Sequence, residues 1–476
     1  MWAGGYGGGH GKARALRGAR NHVARVSARY VCRECGGHSA TPMGRCPRCG
    51  AWNTLEEEIL GADAPPGAAR APARRLETVA LENVREAGLV RSPSGDDEVD
   101  RVLGGGWVAG SALLLAGEPG IGKSTLLLQL AHLSVQSGRS ALYVAGEESL
   151  AQVRLRAERL GLSRGVMLTR ETDARVVAEH LRASAPDLVI VDSIQTLLAD
   201  PDGTPGTLSQ VRDGTALLVG AAKDSGSTLV LIGHVTKQGS IAGPKVIEHV
   251  VDATFALESA AGLRVLRAIK NRFGPAGEVG VFDMAQSGMH AVPNPSAAFL
   301  AERPHGVPGS VVLAALEGQR PLLLEVQALA SKTPYASPRR VVQGLEQRRV
   351  DVVLAVLERR LQLPLADLDI FVNVAGGLRL TDPGADLAVA LAVYSAVTNR
   401  PLPERTSVVG EVGLAGEVRS VGHLARRLEE ARRADHPRLV GPRSRELEHG
   451  VRDLAGAIAQ VWEAEREPAA APEGRP

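Results

Sequence analysis

Residues 111–125 read SALLLAGEPGIGKST, an apolar run of strand length that leads directly into a glycine-rich loop. The loop contains the full pattern GxxxxGKS and is followed by the helix-like run 126–131. Glycines in such a loop let backbone N–H groups face phosphate oxygens, and the following helix N-terminus favours an anion. Lys123 would reach the β- and γ-phosphates of ATP, and Ser124 would hold Mg²⁺. The residues expected to bind the nucleotide are Gly117, Glu118, Pro119, Gly120, Ile121, Gly122, Lys123, Ser124 and Thr125.

Two further apolar runs end in carboxylates, as strands do at the ligand edge of an α/β sheet. The run 188–191 ends in Asp192, which predicts a carboxylate on the Mg²⁺ side of the site. The run 141–145, expected beside the strand of the glycine-rich loop, ends in Glu147 and Glu148. One of these glutamates would polarise the attacking water; alternatively, both open the next helix, where acidic residues suit the dipole.

The remaining runs complete the predicted sheet. The run 228–232 is followed by His234, which either senses the γ-phosphate or is a satisfied polar group. Runs 253–257 and 263–269 predict paired strands that close the sheet. The polar connections 196–206 and 236–243 are either contacts for a nucleic-acid strand or ordinary solvated loops.

All four cysteines occur as two pairs, Cys32-x2-Cys35 and Cys46-x2-Cys49, and each pair is followed by glycine. Four thiolates on two tight turns match tetrahedral zinc. Two disulfides would need an oxidising compartment, and a thioredoxin-like redox site would need one CxxC beside a βαβ unit. The pattern therefore predicts a structural zinc ribbon.

Composition places few further limits on the chain. The net charge of +2 does not by itself indicate nucleic-acid binding, and the 44% hydrophobic content can form a sizeable core. We find no secretory signal and no apolar run near the roughly 18 residues that cross a bilayer, so a cytoplasmic protein is expected. Residues 1–22 are rich in Gly and Arg; they are either a basic disordered tail or lie upstream of a true start at Val23.

The pentapeptide KNRFG at 270–274, together with the four-cysteine finger, GEPGIGKST and VIVDSIQT, makes the chain resemble the RadA/Sms family of DNA repair ATPases from about residue 30 to 461. The resemblance implies a hexameric RecA-like ring that binds single-stranded DNA, works with a RecA-type recombinase and promotes branch migration of recombination intermediates. It also implies that Lys270 and Arg272 reach the neighbouring subunit's γ-phosphate; otherwise they are salt-bridged surface residues.

Residues 372–397 and 413–422 resemble the proteolytic domain of Lon proteases, which implies an α+β C-terminal domain. Those proteases use a Ser–Lys pair, because serine is a weak nucleophile without an adjacent base. Gly384 and Ala425 occupy the corresponding positions, so peptide hydrolysis is not expected.

Basic pairs in the C-terminal domain form either a DNA-contacting face or ordinary helix surface charge. They are Arg339-Arg340, Arg348-Arg349 and Arg359-Arg360, with Lys332 nearby. Arg426-Arg427, beside Glu429-Glu430, is expected to be surface charge.

The predicted organisation is an α/β RecA-like P-loop ATPase core between a zinc ribbon and a Lon-protease-like domain. The segments are a leader (1–27), a zinc finger (28–54), a linker (55–80), the ATPase domain (81–290), a second linker (291–308), the Lon-like domain (309–462) and a disordered tail (463–476). The leading functional hypothesis is a DNA-dependent ATPase that promotes branch migration. An ATP-gated assembly or switch protein, similar to clock-type RecA-like ATPases, is the alternative.

Overall fold

The computed structural model of the protein describes residues 27–60, 80, 90–162, 164–234, 245–335 and 337–462. The chain divides into two compact units, Met1–Asn83 and Val84–Pro476. The predicted leader before residue 27, the predicted tail 463–476 and the loop 236–243 lie outside the described residues. Across the described ranges, no helix is both long enough and apolar enough to cross a membrane.

The first unit contains a three-stranded antiparallel sheet of order β2-β1-β3. Its strands are β1 (Ser27–Cys32), β2 (His38–Ser39) and β3 (Leu55–Leu60). β3 falls in the segment predicted as a linker, yet it pairs with the whole of β1, from Leu55 opposite Cys32 to Leu60 opposite Ser27. The sheet of the first unit therefore extends beyond residue 54, where the zinc finger was predicted to end.

The second unit begins with a short antiparallel pair and a large sheet of nine strands within the described residues. The pair is β4 (Arg91–Ser92) with β5 (Trp107–Val108). The sheet strands are β6 (Ala112–Gly117), β7 (Ala141–Ala145), β8 (Met167–Thr169), β9 (Leu188–Asp192), β10 (Thr228–His234), β11 (Ala253–Ala260), β12 (Leu263–Asn271), β13 (Val279–Ala285) and β14 (Gly288–Ala291).

The sheet order is β14-β13-β12-β11-β6-β10-β9-β7-β8, with β6 to β11 parallel and β12 to β14 antiparallel. The expectation that 141–145 lies beside the strand of the glycine-rich loop is wrong, because β10 and β9 lie between β7 and β6. Neighbours along the chain need not be neighbours in a doubly wound sheet, where helical crossovers allow later strands to insert.

Helices cover both faces of this sheet. They are α1 (Asp97–Leu103), α2 (Lys123–Gln136), α3 (Leu150–Arg159), α4 (Ala174–Ser184), α5 (Leu208–Ser225) and α6 (Lys245–Val250). Alternate residues of β6 enter two separate cores: Leu113 and Leu115 pack on one side, and Ala112 and Leu114 on the other. A strand that is buried on both faces has a continuous apolar sequence, which is why polar and apolar residues do not alternate in β6.

The C-terminal domain follows α7 (Pro295–Leu300) and has a six-stranded sheet of order β17-β18-β16-β15-β19-β22. The strands of this sheet are β15 (Ser310–Glu317), β16 (Arg320–Lys332), β17 (Arg340–Gln343), β18 (Leu368–Val374), β19 (Thr406–Val408) and β22 (Arg438–Val440). The domain also has a two-stranded sheet of β20 (Glu411–Val412) and β21 (Val418–Arg419). Its helices are α8 (Gln347–Leu361), α9 (Asp386–Thr398), α10 (Leu424–Arg433) and α11 (Leu454–Trp462). The predicted helical run 387–397 corresponds to α9, in which nine of the thirteen residues are buried.

The C-terminal domain shares a hydrophobic core with strands β11, β12 and β13 of the nine-stranded sheet. Ala260 and Val265 of the nine-stranded sheet belong to the same buried cluster as Val311 and Leu313 of β15. Phe299 joins this cluster from α7, inside the segment 291–308 that the sequence predicted as a linker. The two domains are therefore packed against each other and are not joined by a free tether.

Ion pairs lie at the rim of the same junction. Arg267 of β12 pairs with Glu317, and Arg320 pairs with Glu98 of α1. Glu278 accepts a hydrogen bond from the backbone N–H of Gln319 at 3.1 Å. Both acidic and basic members are mostly buried, so each charge has a partner across the junction, as burial of charge requires.

Candidate nucleotide site and metal centre

The glycine-rich loop 117–125 (hereafter the P-loop) connects the buried strand β6 to helix α2. Gly120 and Gly122 have φ angles of 77° and 114°, in the left-handed region that favours glycine. A Cβ at Gly117 would lie 2.6 Å from the carbonyl oxygen of Leu257. Backbone geometry and close packing thus require glycine at these positions, and the loop delivers Lys123 to the first turn of α2.

Lys123 is 4% exposed. Its Nζ donates to the carbonyl oxygens of Gly117 at 2.8 Å and Glu118 at 2.9 Å. Burial lowers the pKa of Lys123, while the negative charges of Asp192 and Glu147 act in the opposite direction. The ammonium group is therefore held by its own loop, in reach of two carboxylates, where phosphate oxygens can replace the carbonyls as acceptors.

Asp192 ends β9 and is 7% exposed. The hydroxyl of Tyr143, on β7, donates to Asp192 Oδ2 at 2.5 Å, and the side chain of Ser124 acts to lower the pKa of the same hydroxyl. Burial and the charge of Asp192 raise the pKa of Tyr143 well above its usual value. These three side chains form a cluster of oxygens beside the P-loop, and a hard cation such as Mg²⁺ takes oxygen ligands.

Glu147 is brought to this cluster by the backbone. The N–H groups of Gly146 and Glu147 donate to the carbonyl oxygen of Asp192 at 2.6 and 3.2 Å. The Ser193 hydroxyl donates to the Glu147 carboxylate, and His234 Nε2 lies 2.8 Å from Glu147 Oε1. Burial raises the pKa of Glu147, but the bonds from Ser193 and His234 outweigh it and hold that pKa below its usual range.

Glu148 has a different environment. Its carboxylate forms an ion pair with Arg156, two turns into helix α3. The structure therefore separates two adjacent glutamates that the sequence could not distinguish: Glu147 faces the P-loop, and Glu148 is engaged by its own helix.

His234 bridges the P-loop lysine and Glu147. Its Nδ1 lies 3.4 Å from Lys123 Nζ, and its Nε2 is the atom that bonds Glu147. Because β10 is the neighbour of β6, with His234 opposite Gly117 in register, the imidazole lies beside the phosphate end of the site. His234 is a satisfied polar group in this structure and also a neighbour of the nucleotide position.

The KNRFG motif (residues 270–274) lies at the opposite end of the strands from the P-loop, where the parallel strands β6 and β11 begin. Asn271 of β12 pairs with Ala253 of β11, which lies opposite Leu113 at the start of β6. The P-loop end of β6, Gly117, lies opposite Leu257, four residues further along β11 and therefore about 13 Å away. The motif does not join the nucleotide site of its own chain.

The two cations of the motif have internal partners. Lys270 Nζ donates to the carbonyl oxygens of Glu248 at 2.5 Å and Val251 at 2.7 Å. Arg272 lies 3.1 Å from the Asp252 carboxylate, although its side chain is 56% exposed. Arg272 is therefore accessible to another molecule, whereas Lys270 is bound mainly by its own chain.

The four cysteines of the first unit come together. Their Sγ atoms lie within 4.8 Å of one another, with Cys32 to Cys49 at 3.7 Å and Cys35 to Cys46 at 3.6 Å. Zinc bound tetrahedrally at about 2.3 Å separates its sulfur ligands by about 3.8 Å, whereas bonded sulfurs lie about 2.0 Å apart. None of the four cysteines forms a disulfide, and the geometry fits a zinc ion rather than two disulfides.

Relatives of known family match this chain over most of its length. A DNA repair protein RadA from Mycobacterium tuberculosis strain H37Rv is 46% identical, over 86% of this chain and 87% of the relative. The protein of the same name from Pseudomonas aeruginosa strain PAO1 is 46% identical, over 88% and 94%. That from Bacillus subtilis strain 168 is 42% identical, over 88% and 93%. The chain belongs to the RadA family of DNA repair proteins.

Models of single domains match three parts of this RadA family member. A rubredoxin metal binding domain matches residues 30–57, an AAA domain matches 76–240, and subunit ChlI of Mg-chelatase matches 336–445. The prediction of a zinc ribbon, a RecA-like ATPase core and a Lon-like C-terminal domain is confirmed, and zinc and ATP are the corresponding ligands. A KaiC-like protein from Pyrococcus horikoshii is 18% identical over 43% of this chain and all of that protein, with a TM-score of 0.37, which supports no conclusion.

The Lon-like domain fills the position of a protease nucleophile with its own polar groups. Gly384 donates its backbone N–H to Asp382 Oδ1 at 2.9 Å, and a Cβ there would lie 3.0 Å from a methyl group of Val409. The Asp382 carboxylate pairs with the Arg427 guanidinium at 2.5 and 3.0 Å, and Arg427 also donates to the carbonyl oxygen of Ala314 at 2.7 Å.

The expectation that Arg427 is surface charge is wrong, because this side chain is 1% exposed. Helix α10 turns Arg427 inward on the same face as Leu424 and Leu428, towards β15, where Asp382 neutralises it. Arg426, one residue earlier, is exposed as expected, and so is Ala425 at the position of the protease lysine.

Three residues that the sequence patterns did not indicate complete the candidate nucleotide site. Tyr143 is a tyrosine in an otherwise aliphatic strand, and a buried hydroxyl requires a partner, which was a usable signal. Ser193 directly follows Asp192, but its bond to Glu147 depends on a contact between separate strands. Arg264 donates to the carbonyl oxygen of Ile121 in the P-loop at 3.0 Å, and no local pattern indicates this.

Proposed function

We propose that this protein is a DNA-dependent ATPase of recombinational repair that binds single-stranded DNA and drives branch migration as a homo-oligomeric ring, most simply a hexamer. The observation that carries the proposal is the convergence of Lys123, Asp192 and Glu147 at one end of the sheet in a chain that belongs to the RadA family. A cytoplasmic location and cooperation with a RecA-type recombinase are parts of the same proposal.

The assignment of roles follows from the geometry. Lys123 would stabilise the charge on the β- and γ-phosphates, and Ser124 and Asp192 would hold Mg²⁺ through oxygen atoms. Mg²⁺, when bound, neutralises charge on the phosphates. Glu147 is the better candidate for orienting the attacking water, because its carboxylate stays ionised beside the P-loop while Glu148 is paired with Arg156.

Arg272 would act on a neighbouring subunit. Arg272 lies at the end of the strands opposite the P-loop, about 13 Å away along the strands, which is too far to contact the phosphates bound in its own site. An exposed guanidinium supplied across a subunit boundary can stabilise charge in phosphoryl transfer and would make hydrolysis depend on assembly. Lys270 would have a structural role beside Arg272, because its ammonium group already donates hydrogen bonds to two carbonyl oxygens of its own chain.

The DNA-contacting face proposed for the basic pairs loses part of its charge to internal bonds. Arg339 pairs with Asp369, Arg349 pairs with Asp386, and Arg340 donates to the carbonyl oxygen of Leu365 at 2.8 Å. The remaining members, with Lys332, would supply the phosphate contacts. They are Arg348 and Arg359, together with Arg360, whose Nε donates to the carbonyl oxygen of Leu414 at 3.3 Å but whose side chain is exposed.

The first experiment measures ATP hydrolysis by the full chain with and without single-stranded DNA, over a range of salt concentrations. We expect several-fold stimulation that weakens as salt rises, because phosphate contacts release counterions. Lys123→Ala should lower turnover about 10²-fold or more, the size of effect seen when a transition-state donor is removed. If DNA leaves hydrolysis unchanged at every salt concentration, the motor is excluded and the ATP-gated switch protein is the better account.

The second experiment tests action across a subunit boundary by complementation. Two variants that are each expected to be inactive alone, Arg272→Ala and Lys123→Ala, are co-expressed. In a mixed ring, the intact P-loop of an Arg272→Ala subunit can lie beside the intact KNRFG motif of a Lys123→Ala subunit. ATP hydrolysis by the mixture should therefore exceed the sum of the activities of the two variants measured separately. Lys123→Ala with Asp192→Asn, which both lack groups of their own site, should regain nothing. Lys223→Ala is the matched control, since Lys223 is a second cation near Asp252, at 3.8 Å, and should retain activity. Absence of complementation contradicts the role of Arg272 but leaves the DNA-stimulated motor intact.

A further inference from the structure

The turn between β11 and β12 lies between the P-loop and the Lon-like domain. It spans residues 260–263, and its central residues, Ala261 and Gly262, have φ angles of 50° and 75°. A non-glycine residue in this left-handed region is uncommon and needs support from its surroundings. That support comes from contacts on two sides of the turn.

On one side, Arg264 ties the turn to the P-loop. Its Nε donates to the carbonyl oxygen of Ile121 at 3.0 Å, and its Nη1 donates to the carbonyl oxygens of Gly262 at 3.0 Å and Leu263 at 3.2 Å. A P-loop presents its N–H groups to phosphates, so its carbonyl groups face away and need donors of their own. Arg264 supplies such a donor two residues before Lys123.

On the other side, the turn docks on the Lon-like domain. The N–H of Ala261 donates to the carbonyl oxygen of Gly376 at 2.8 Å, just after β18. Gly376 has a φ of 82°, and a Cβ there would lie 2.8 Å from the Cβ of Ala261. This close approach leaves no room for a side chain. Ala260 belongs to the hydrophobic core that both domains share.

We propose that Arg264 is a positioning residue of the nucleotide site, and that the 260–263 turn transmits the position of the Lon-like domain to the P-loop. The proposal rests on the nucleotide site assigned above. Movement of Gly376 relative to the ATPase sheet would displace Ala261, and Arg264 would carry the displacement to the carbonyl group of Ile121. The Lon-like domain would then influence how tightly the nucleotide is held, without any residue of its own in the site.

The test measures the Kd of a fluorescent ADP analogue for the full-length protein, together with KM and kcat for ATP. Arg264→Met keeps the aliphatic stem and removes the donors; we expect about tenfold weaker nucleotide binding, the loss of one charge-assisted hydrogen bond. The weaker binding should appear as a higher KM for ATP, with kcat at saturating ATP nearly unchanged, because Arg264 acts on nucleotide binding and not on the transition state. Arg264→Lys should recover part of the affinity.

Coupling to the Lon-like domain is tested by two adjacent glycines. Gly376→Ala places a methyl group against Ala261, whereas Gly377→Ala, with φ at 75° in the same turn, places one where nothing lies within 4 Å. Both variants introduce the same backbone strain, so only Gly376→Ala should weaken nucleotide binding, by about threefold or more relative to Gly377→Ala. Thermal unfolding of both variants checks that they are equally folded.

The double variant tests whether the effect of Gly376→Ala on nucleotide binding passes through Arg264. If the effect passes through Arg264, then Arg264→Met with Gly376→Ala should bind nucleotide no more weakly than Arg264→Met alone. Additive losses, equal Kd values for the two glycine variants, or wild-type affinity of Arg264→Met would each overturn the proposal. Lys123→Ala is measured alongside: if it too binds with wild-type affinity, the nucleotide site itself is misassigned, which is a separate failure.

Discussion

Two regions of this molecule carry enzyme motifs, and they use their charged groups in opposite ways. In the nucleotide site, Lys123, Asp192 and Glu147 come from three segments and border a common space beside the P-loop. In the Lon-like domain, Asp382 and Arg427 neutralise each other in the interior, next to the buried Gly384. The charged groups of the first region remain available to a ligand, whereas those of the second region pair with each other in the interior of the domain.

The comparison shows that a motif indicates a fold more safely than it indicates chemistry. Both regions retain the backbone features of their motifs, including the glycines that each turn requires. Chemistry additionally requires side chains whose polar atoms are not consumed by the protein itself. The following predictions test that distinction, beginning with the largest expected effect.

Glu147→Gln should lower kcat for ATP hydrolysis about 10²- to 10⁴-fold, the contribution expected of a positioned base, while nucleotide affinity changes little. Glu148→Gln is the matched control, because it alters the neighbouring carboxylate, which pairs with Arg156. Steady-state hydrolysis and nucleotide titration measure both quantities. A larger loss in Glu148→Gln would reverse the assignment of the two glutamates.

Arg427→Met should destabilise the Lon-like domain by about 3 to 5 kcal/mol, because the Asp382 carboxylate would remain buried without its partner. Urea unfolding monitored by tryptophan fluorescence measures the loss; Trp462 is buried in this domain. Arg426→Met, at the exposed neighbouring position, should change stability by less than about 0.5 kcal/mol. Equal stabilities of the two variants would show that the buried pair contributes nothing.

Tyr143→Phe should raise the Mg²⁺ concentration needed for half-maximal hydrolysis about tenfold, because the lost hydroxyl orients the Asp192 carboxylate. The phenylalanine fills the same space, so the fold should be unaffected. Tyr394→Phe, in the Lon-like domain, is the control for loss of a tyrosine hydroxyl. Superimposable Mg²⁺ titrations of the two variants would remove Tyr143 from the site.

Gly384→Ser combined with Ala425→Lys should produce no peptidase activity. A Cβ at Gly384 lies 3.1 Å from Asp382 Oδ1 and 3.3 Å from an Arg427 nitrogen, so a new hydroxyl would be taken up by that pair. Casein degradation measured against the unaltered chain tests this. Degradation above background would mean that the two missing side chains are the main barrier to proteolysis.

Local patterns predicted much of the fold and part of the site. The strand Ala141–Ala145 was predicted at its observed bounds, and the runs ending near Asp192 and His234 were placed within two residues. Such patterns succeed because burial on both sheet faces produces continuous apolar runs, and loop glycines are required by backbone geometry. The position of β7 in the sheet was wrong, because strand order depends on how helices pack across the sheet.

The charge environment of individual residues was beyond local patterns. Arg426 and Arg427 are neighbours of the same type, yet one is exposed and the other is buried against Asp382, forty-five residues away in the chain. Glu147 and Glu148 divide in the same manner between the nucleotide site and a helix. The partners that decide each case lie on distant segments.

The sequence by itself determined the P-loop, the four zinc ligands, the class of ATPase core and the absence of the protease pair, since each depends on residue type at short spacing. The tertiary structure alone decided the strand order, the partner of each charged group, and the bridge from the P-loop through Arg264 to Gly376. The physical reason is range: turns, caps and metal ligands are satisfied within a few residues, whereas burial and charge pairing depend on which distant segments meet.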